Sequence, residues 1–401
     1  MPATISGAPK HDTPTKLKAE FLQHYGTVPR IFRAPGRVNL IGEHTDYNDG
    51  FVMPVAIQLY AYIAIAPRLE PRIRIHSRNL NESAEFSLSE TGVGSRQHWS
   101  DYVRGVTGVL TSQDIAVQGA DMMIASEVPV GSGLASSAAI EVASALSMLS
   151  LAGRELPLTE IARSCQRAEH MYVGSMCGIM DQFIACFGRA GQAVMLDCRD
   201  LSHEFLPTDE EVRIVICNTG VKHEHASNGY NLRRAECYAG VSAIKTRCMP
   251  KITGLRDITC SSLEDCKDSL PETVYRRCRH VVREDERVLA AARALRVHDL
   301  KSFGKLMYES HLSLRDDYEV SCQELDLLVD IAQKLEGVYG ARMTGGGFGG
   351  CTVNLVHAEA VEEFIAISKK EFARATGNIP EVYVCVAAQG AGPVLEDEAP
   401  R

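Results

Sequence analysis

Apolar residues recur at helical spacing in the middle of the first half of the chain. In AAIEVASALSMLSLAG, residues 138–153, the side chains of Ile140, Ala143, Leu146 and Leu149 share one face, and Gly153 ends the run. LTEIARSCQRAEHMYVG predicts a second helix that begins near Thr159. Near the start, KLKAEFLQHYG predicts a short helix closed by Gly26. Shorter apolar runs predict strands: RIFRA, FVMPVAIQLYAYIAIAPR as one strand or two, DMMIASEVP, AVMLDC and RIVICNTG. From Tyr230 to about Leu335 the pattern is mostly helical. VYGARMTGGGFGGCTVNLV breaks it with a glycine-rich turn into a strand, and PEVYVCVAAQG is a last strand. Strands and helices do not alternate regularly. The pattern therefore predicts α+β rather than a doubly wound parallel sheet.

Composition changes this picture little. A chain of 401 residues exceeds one ordinary core. Two domains are expected, 1–200 and 201–401, divided near CRDLSHEFLP. A net charge of −9 offers nothing to nucleic acid or an anionic membrane. The start, MPATISGAPKHDTPTK, reads as a loose polar tail rather than a secretory signal. No run of about 18 apolar residues suggests a membrane span. Thirteen cysteines are scattered without a CxxC, which suggests reduced thiols and a cytoplasmic protein.

Three glycine-bearing stretches carry the candidate chemistry. In PVGSGLASSAA, Pro129–Ala139, the glycines Gly131 and Gly133 admit left-handed angles and close backbone approach. The helix that follows aims free N–H groups and its positive dipole end at the loop, which makes an anion site. The hydroxyls of Ser136 and Ser137 can reach a phosphate or its Mg²⁺. The competing reading is a plain turn whose serines cap the helix. GxxxxGK[ST], HRD and DFG are absent, so any nucleotide binds by another architecture. In MTGGGFGGC, Gly345, Gly347 and Gly350 match GxGxxG, but a strand follows where a dinucleotide fingerprint opens a helix. That leaves a tight hairpin, or a backbone packed against bound phosphate or sugar. In RAPGRVNLIGEHTDYNDG, Arg33–Gly50, the acids and the histidine suit a metal, but Arg33 and Arg37 would repel one. Carboxylates that accept from hydroxyls, beside an arginine that suits phosphate, describe a hydroxyl-rich ligand site; the alternative is a solvated turn. HEH at His223–His225 lacks a third metal ligand and reads as a sugar-side or surface loop. YRRCRHVVRED, Tyr275–Asp285, reads as a solvated helix face.

In this order the three stretches resemble the GHMP family of small-molecule kinases, and GRVNLIGEHTDYN resembles the signature of its galactokinases. PVGSGLASSAA resembles the family's nucleotide loop, P-x-x-x-G-L-x-S-S-A, and GARMTGGGFGGC its third motif. CGIMDQF is similar to the segment that supplies a catalytic aspartate, and SLRDDYEVSCQELD is similar too. The resemblance implies two α+β domains, the first like ribosomal protein S5, with the active site in the cleft between them. It implies that ATP and galactose give ADP and α-D-galactose 1-phosphate, with Mg²⁺ required and no obligate protein partner.

The site residues are implied in the same way. Asp181 would be the general base at the anomeric hydroxyl, unless it only caps a helix. Arg37 would lie near that hydroxyl and the transferred phosphoryl group. Glu43, His44 and Asp46 would bind the sugar, completed by Tyr230 and the backbone at Gly178. Gly131, Gly133, Leu134, Ala135, Ser136 and Ser137 would wrap the nucleotide phosphates. Ser136 or Ser137, with Glu169, would hold Mg²⁺. Trp99, the only tryptophan, would line the adenine pocket, or is a plain core residue. Ala135 and Ala139 replace the outer serines of the GLSSSAS form common in the family, a change that bears on ATP contacts rather than catalysis. Two other readings remain: a kinase for N-acetylgalactosamine or a related sugar, and a sensor that binds galactose and ATP without catalysis. Arg37, Ser136, Ser137 and Asp181 all stand intact against the sensor.

Overall fold

The strand Arg30–Asn39 explains how the charged stretch is held. It pairs with Pro54–Pro67 on one side and, at Phe32 and Arg33, with Gly392–Pro393 on the other, and its second half is buried throughout. RIFRA is thus the start of a longer strand, and the first part of the charged stretch is sheet rather than turn. The ladder shifts register between Pro35 and Arg37. Proline has no N–H to donate, so a bulge tolerates it where a regular ladder does not. At the bulge the Arg37 N–H leaves the sheet and donates to the Leu134 carbonyl at 3.1 Å. Gly36 sits against that same carbonyl, where a Cβ would approach to 2.8 Å. The irregularity is where the nucleotide-like loop docks.

The computed structural model describes residues 13–222 and 226–395. Among them are three sheets. The largest has the strand order Gly392–Pro393, Arg30–Asn39, Pro54–Pro67, Ala120–Ser126, Arg72–Ser77, Glu82–Ser87. A four-stranded sheet runs Val338–Thr344, Gly349–His357, Val212–Lys222, Glu381–Cys385, and a third joins Phe51–Val52, Gln192–Asp197 and His203–Pro207. All the ladders are antiparallel except that between Arg72–Ser77 and Ala120–Ser126. The class is α+β, as the irregular pattern predicts.

The two early helices appear as Ser136–Leu151 and Leu158–Ala168. The first is buried nearly all round and packs on the long strands of the largest sheet. The second continues into a π-helical turn, Glu169–Val173, closed by the Gly174 N–H on the Glu169 carbonyl at 3.0 Å. Helices Ala226–Arg247, Glu272–Arg296, Leu300–Asp316 and Gln323–Ala332 fill most of the region read as helical. The hairpin Arg72–Ser77/Glu82–Ser87 and the helices Asp101–Ser112 and Val361–Thr376 are additions to the sequence reading. One apolar cluster joins Val38, Leu40, Val55 and Ile57 to Ile214, Ile216, Val288 and Cys351, so both walls of the cleft rest on shared core. No helix among the described residues is long and apolar enough to cross a membrane. The HEH run and the first twelve residues lie outside the described residues.

Candidate active site

A cleft of about 760 Å³ opens between the largest sheet's helices and the second-half elements. Arg37, Glu43, His44, Asp46, Trp99, Gly131, Gly133, Leu134, Ala135, Ser136, Ser137, Glu169, Gly178, Asp181 and Tyr230 all line it. Every site residue named from the sequence is therefore in one cavity.

One end is built for an anion. Helix Ser136–Leu151 starts after Ala135, which is left-handed at φ 60° and gives no side-chain cap. The reading in which the serines cap the helix is thereby set aside. The first-turn N–H groups stay open to a ligand. Gly131 and Gly133 are also left-handed, at φ 72° and 80°. The third glycine motif is a hairpin between Val338–Thr344 and Gly349–His357, and it packs backbone to backbone on this loop. A Cβ at Gly345 would meet the Gly133 carbonyl at 2.9 Å, and one at Gly350 the Ser132 carbonyl at 3.0 Å. Trp99 is half-buried at this end, and its indole N–H donates to Glu82 at 2.9 Å.

At the centre Arg37 grips Asp181 through two parallel bonds, Nε to Oδ1 at 2.8 Å and Nη2 to Oδ2 at 2.7 Å. Its Nη1 donates to the Gly133 carbonyl. Burial works against the Arg37 charge, but Asp181, Glu43 and Asp46 outweigh it and hold its pKa above the usual value. Asp181 sits in the first turn of Met180–Phe187, and it makes no side-chain cap there. The plain capping reading for it does not hold.

The other end is rich in hydrogen-bonding groups. Asp46 is pushed up to about 7 by burial and then by Asp181. Gly178 lies against it so closely that a Cβ would fall 1.7 Å from Asp46 Oδ2. His44 is left-handed at φ 64° and is kept neutral, its pKa well below the usual value through burial and then His280. Its Nδ1 meets Tyr47 Oη at 2.8 Å, and Tyr47 Oη meets Tyr318 Oη at 2.8 Å. His44 Nε2 is buried without a partner among the described residues. Tyr230 closes the wall, its ring 5.1 Å from that of Tyr47. Glu43 is also a strut. Its Oε1 accepts from Thr344 Oγ1 at 3.0 Å and the Gly345 N–H at 2.7 Å, and its Oε2 from Asn39 at 2.9 Å.

The long helix Glu272–Arg296 grips this loop from behind. His280 Nε2 lies 3.1 Å from the Glu43 carbonyl. Glu284 accepts the Gly42 N–H at 2.9 Å, and Asp285 the Phe51 N–H at 2.8 Å. His280 and Glu284 are 0% exposed and Arg277 2%, which corrects the reading of Tyr275–Asp285 as a solvated face. Arg283 is exposed, so only part of that face meets water. Despite its burial Glu284 is drawn down to about 2, held by Arg287 and then His280. Arg277 and Arg233 fix the segment around Tyr318 through the Asp317 and Tyr318 carbonyls. The sequence reading missed Tyr47, Tyr318, His280 and Glu284. The first two lay inside quoted motifs, EHTDYN and SLRDDYEV. The other two lie inside YRRCRHVVRED, but nothing local marks them, because their partners are about 240 residues away.

A galactokinase galactose-binding signature matches residues 19–67, the stretch that carries Arg37, Glu43, His44 and Asp46. A galactokinase of Chloroflexus aurantiacus is 48% identical over 95% of this chain and 98% of its own length. The chain belongs to the galactokinase family. A galactokinase of Streptomyces coelicolor is 42% identical over 92% of this chain and 96% of its own. Two further matches cover the wider family, GHMP kinases N terminal domain at 101–189 and GHMP kinases C terminal at 291–373. The crystal structure of Lactococcus lactis galactokinase complexed with galactose superposes with a TM-score of 0.91 at 34% identity, over 95% of this chain and 100% of that one. Mevalonate kinase of Methanococcus jannaschii, 21% identical with a TM-score of 0.65, shares the GHMP fold.

Proposed function

We propose that the chain phosphorylates galactose at its anomeric hydroxyl, giving α-D-galactose 1-phosphate and ADP. The observation that carries this is the Arg37–Asp181 pair, set between an uncapped helix end and a pocket rich in carboxylate, imidazole and phenol groups. Phosphoryl transfer needs alignment and charge stabilisation more than covalent help. The loop Gly131–Ser137 would hold the phosphates by backbone N–H groups. Arg37 would steady the transferring group while Asp181 orients the sugar hydroxyl. The new bond joins the anomeric oxygen to the γ-phosphorus as the bond to the β–γ bridging oxygen breaks. The hydroxyl proton passes to an Asp181 oxygen, and ADP leaves with the electron pair.

Mg²⁺ fits the side chains beside the phosphate loop. Ser136 offers a hard oxygen, and Glu169 is pushed up to about 7 by burial and then by Asp181. Acids crowded together without a cation suit a divalent ion that keeps several waters and phosphate oxygens. Ser136 and Glu169 would hold it, and when bound it would offset charge on the β- and γ-phosphates. Trp99 and its Glu82 anchor would wall the adenine. We also propose the division near residue 200 as the domain boundary and the cytoplasm as the compartment. The thirteen free thiols support that compartment.

The test is ADP release from Mg-ATP with galactose, N-acetylgalactosamine, glucose or arabinose, with phosphorus NMR of the product. Galactose-dependent release with phosphate on the anomeric oxygen is expected. Release only with another sugar would move the substrate, and galactose binding without release would mark a sensor. The sugar end has its own check. Tyr47→Phe removes the hydroxyl on His44 Nδ1 and is expected to raise the galactose KM about tenfold, the cost of one unsatisfied buried group. Steady-state kinetics should leave the ATP KM unchanged; equal changes in both would count against the His44 assignment.

A further inference from the structure

Behind the phosphate loop two acids and one amide are packed together. Glu141, on helix Ser136–Leu151, and Gln182, on Met180–Phe187, are both 0% exposed. Gln182 Nε2 donates to Glu141 Oε2 at 3.1 Å and to Glu169 Oε2 at 2.7 Å. Both amide hydrogens are then used, and Gln182 lies between the two acids. On this acid–amide pair two buried oxygens, Glu141 Oε1 and Gln182 Oε1, have no partner among the described residues.

An ionised Glu141 would leave one oxygen with no donor at all, in a site away from water. Its charged neighbours, Glu169 and Asp181, are both acidic. A carboxylic acid satisfies both orphans at once. Protonated on Oε1, Glu141 would have an O–H to give to the orphan Gln182 Oε1, while Oε2 goes on accepting from Nε2 at 3.1 Å. Burial and then Glu169 push Glu141 well above the usual carboxylate range, in the same direction.

We propose that Glu141 and Gln182 form a buried acid–amide pair that keeps the second Gln182 N–H on Glu169 and so positions the carboxylate assigned to Mg²⁺. The role of Glu169 rests on the function proposed above. Gln182 follows Asp181 directly in the chain, and Glu141 lies one turn past Ser137. One amide therefore ties together the helix that faces the phosphates, the helix that carries Asp181, and Glu169. Glu141 and Gln182 touch no substrate in this scheme; they are positioning residues.

The test compares Glu141→Gln with Glu141→Leu in the full chain. Glutamine reproduces the neutral acid, with an N–H where the O–H stood. Glu141→Gln is expected to bind Mn²⁺ with ADP as the unaltered chain does and to melt at the same temperature without metal. Glu141→Leu is expected to weaken Mn²⁺ binding about 10- to 100-fold, the usual loss for a group that orients a metal ligand. Galactose binding by calorimetry should not change in either. The infrared difference between the unaltered chain and Glu141→Gln at neutral pH should show the carbonyl band of a protonated carboxylic acid. Absence of that band, or a Glu141→Gln loss as large as that of Glu141→Leu, would overturn the pair. If Glu141→Leu does not fold, the infrared band and the Glu141→Gln affinity decide. Unchanged Mn²⁺ affinity in Glu169→Gln would instead remove the metal assignment and the positioning role with it, and the band would still report the pair.

Discussion

Asp181→Asn is expected to turn over galactose at least about 100-fold more slowly, the low end for loss of a general base. The substitution keeps the size of the side chain and removes its charge. Arg37 is 5% exposed and depends on that charge for its partner. The bonds of 2.8 and 2.7 Å between them mean that neither is placed without the other. Arg37→Ala should therefore cost a similar factor. The double variant should cost little more than either single one, because groups that act as a unit are not additive. ADP release under saturating galactose and Mg-ATP measures all three. Near-normal turnover in Asp181→Asn would remove the proton-accepting role. A double variant that multiplies the two losses would show that Arg37 and Asp181 work independently.

Gly178→Ala is expected to raise the galactose KM about 10- to 100-fold. The new Cβ would stand 1.7 Å from Asp46 Oδ2 and 2.1 Å from its Cγ, so the whole Asp46 side chain must move. Overpacking of this kind costs about 1–3 kcal/mol, and each 1.4 kcal/mol is tenfold in affinity. The ATP KM should hold, because the phosphate loop lies at the other end of the cleft. Steady-state kinetics with each substrate varied in turn separates the two. An unchanged galactose KM would mean that Asp46 does not touch the sugar. The same variant at Gly174, which is left-handed but has open space around its Cβ position, would strain the backbone without displacing Asp46. It is the control for local strain.

The charged stretch shows how far reading the chain alone reaches. EHTDYN and PVGSGLASSAA carry their chemistry in consecutive residues, because a loop that wraps a ligand takes its donors from neighbouring backbone positions. Both are legible, and the site residues that the sequence assigns to them line the one cleft. Strand and helix limits were less legible where the pattern was interrupted. The strand pattern of RIFRA breaks at Pro35–Gly36, yet a bulge carries the strand on to Asn39. In the hairpin Arg72–Ser77/Glu82–Ser87, arginine, histidine and glutamate interrupt the apolar run, although in Arg72–Ser77 that alternation is itself the half-buried strand pattern. Helix Val361–Thr376 has the amphipathic spacing of a surface helix, and its signal was available.

Tyr275–Asp285 marks the boundary of what local pattern can tell. Its charges look solvated, because a run of arginines and acids usually is. Burial becomes visible only when the helix is seen against Gly42, Glu43 and Phe51, whose backbone groups take up Glu284, His280 and Asp285. By itself the sequence determined the α+β class, the three glycine loops and the set of residues that carry the chemistry, since each is written in contiguous spacing. Only the tertiary structure decided that Arg37 and Asp181 pair across 144 positions, that Glu43 braces the third motif, and that Glu141 is buried against Gln182. Those facts depend on which distant groups share a small volume from which water is excluded, and in that volume each buried polar atom must find its partner in the fold.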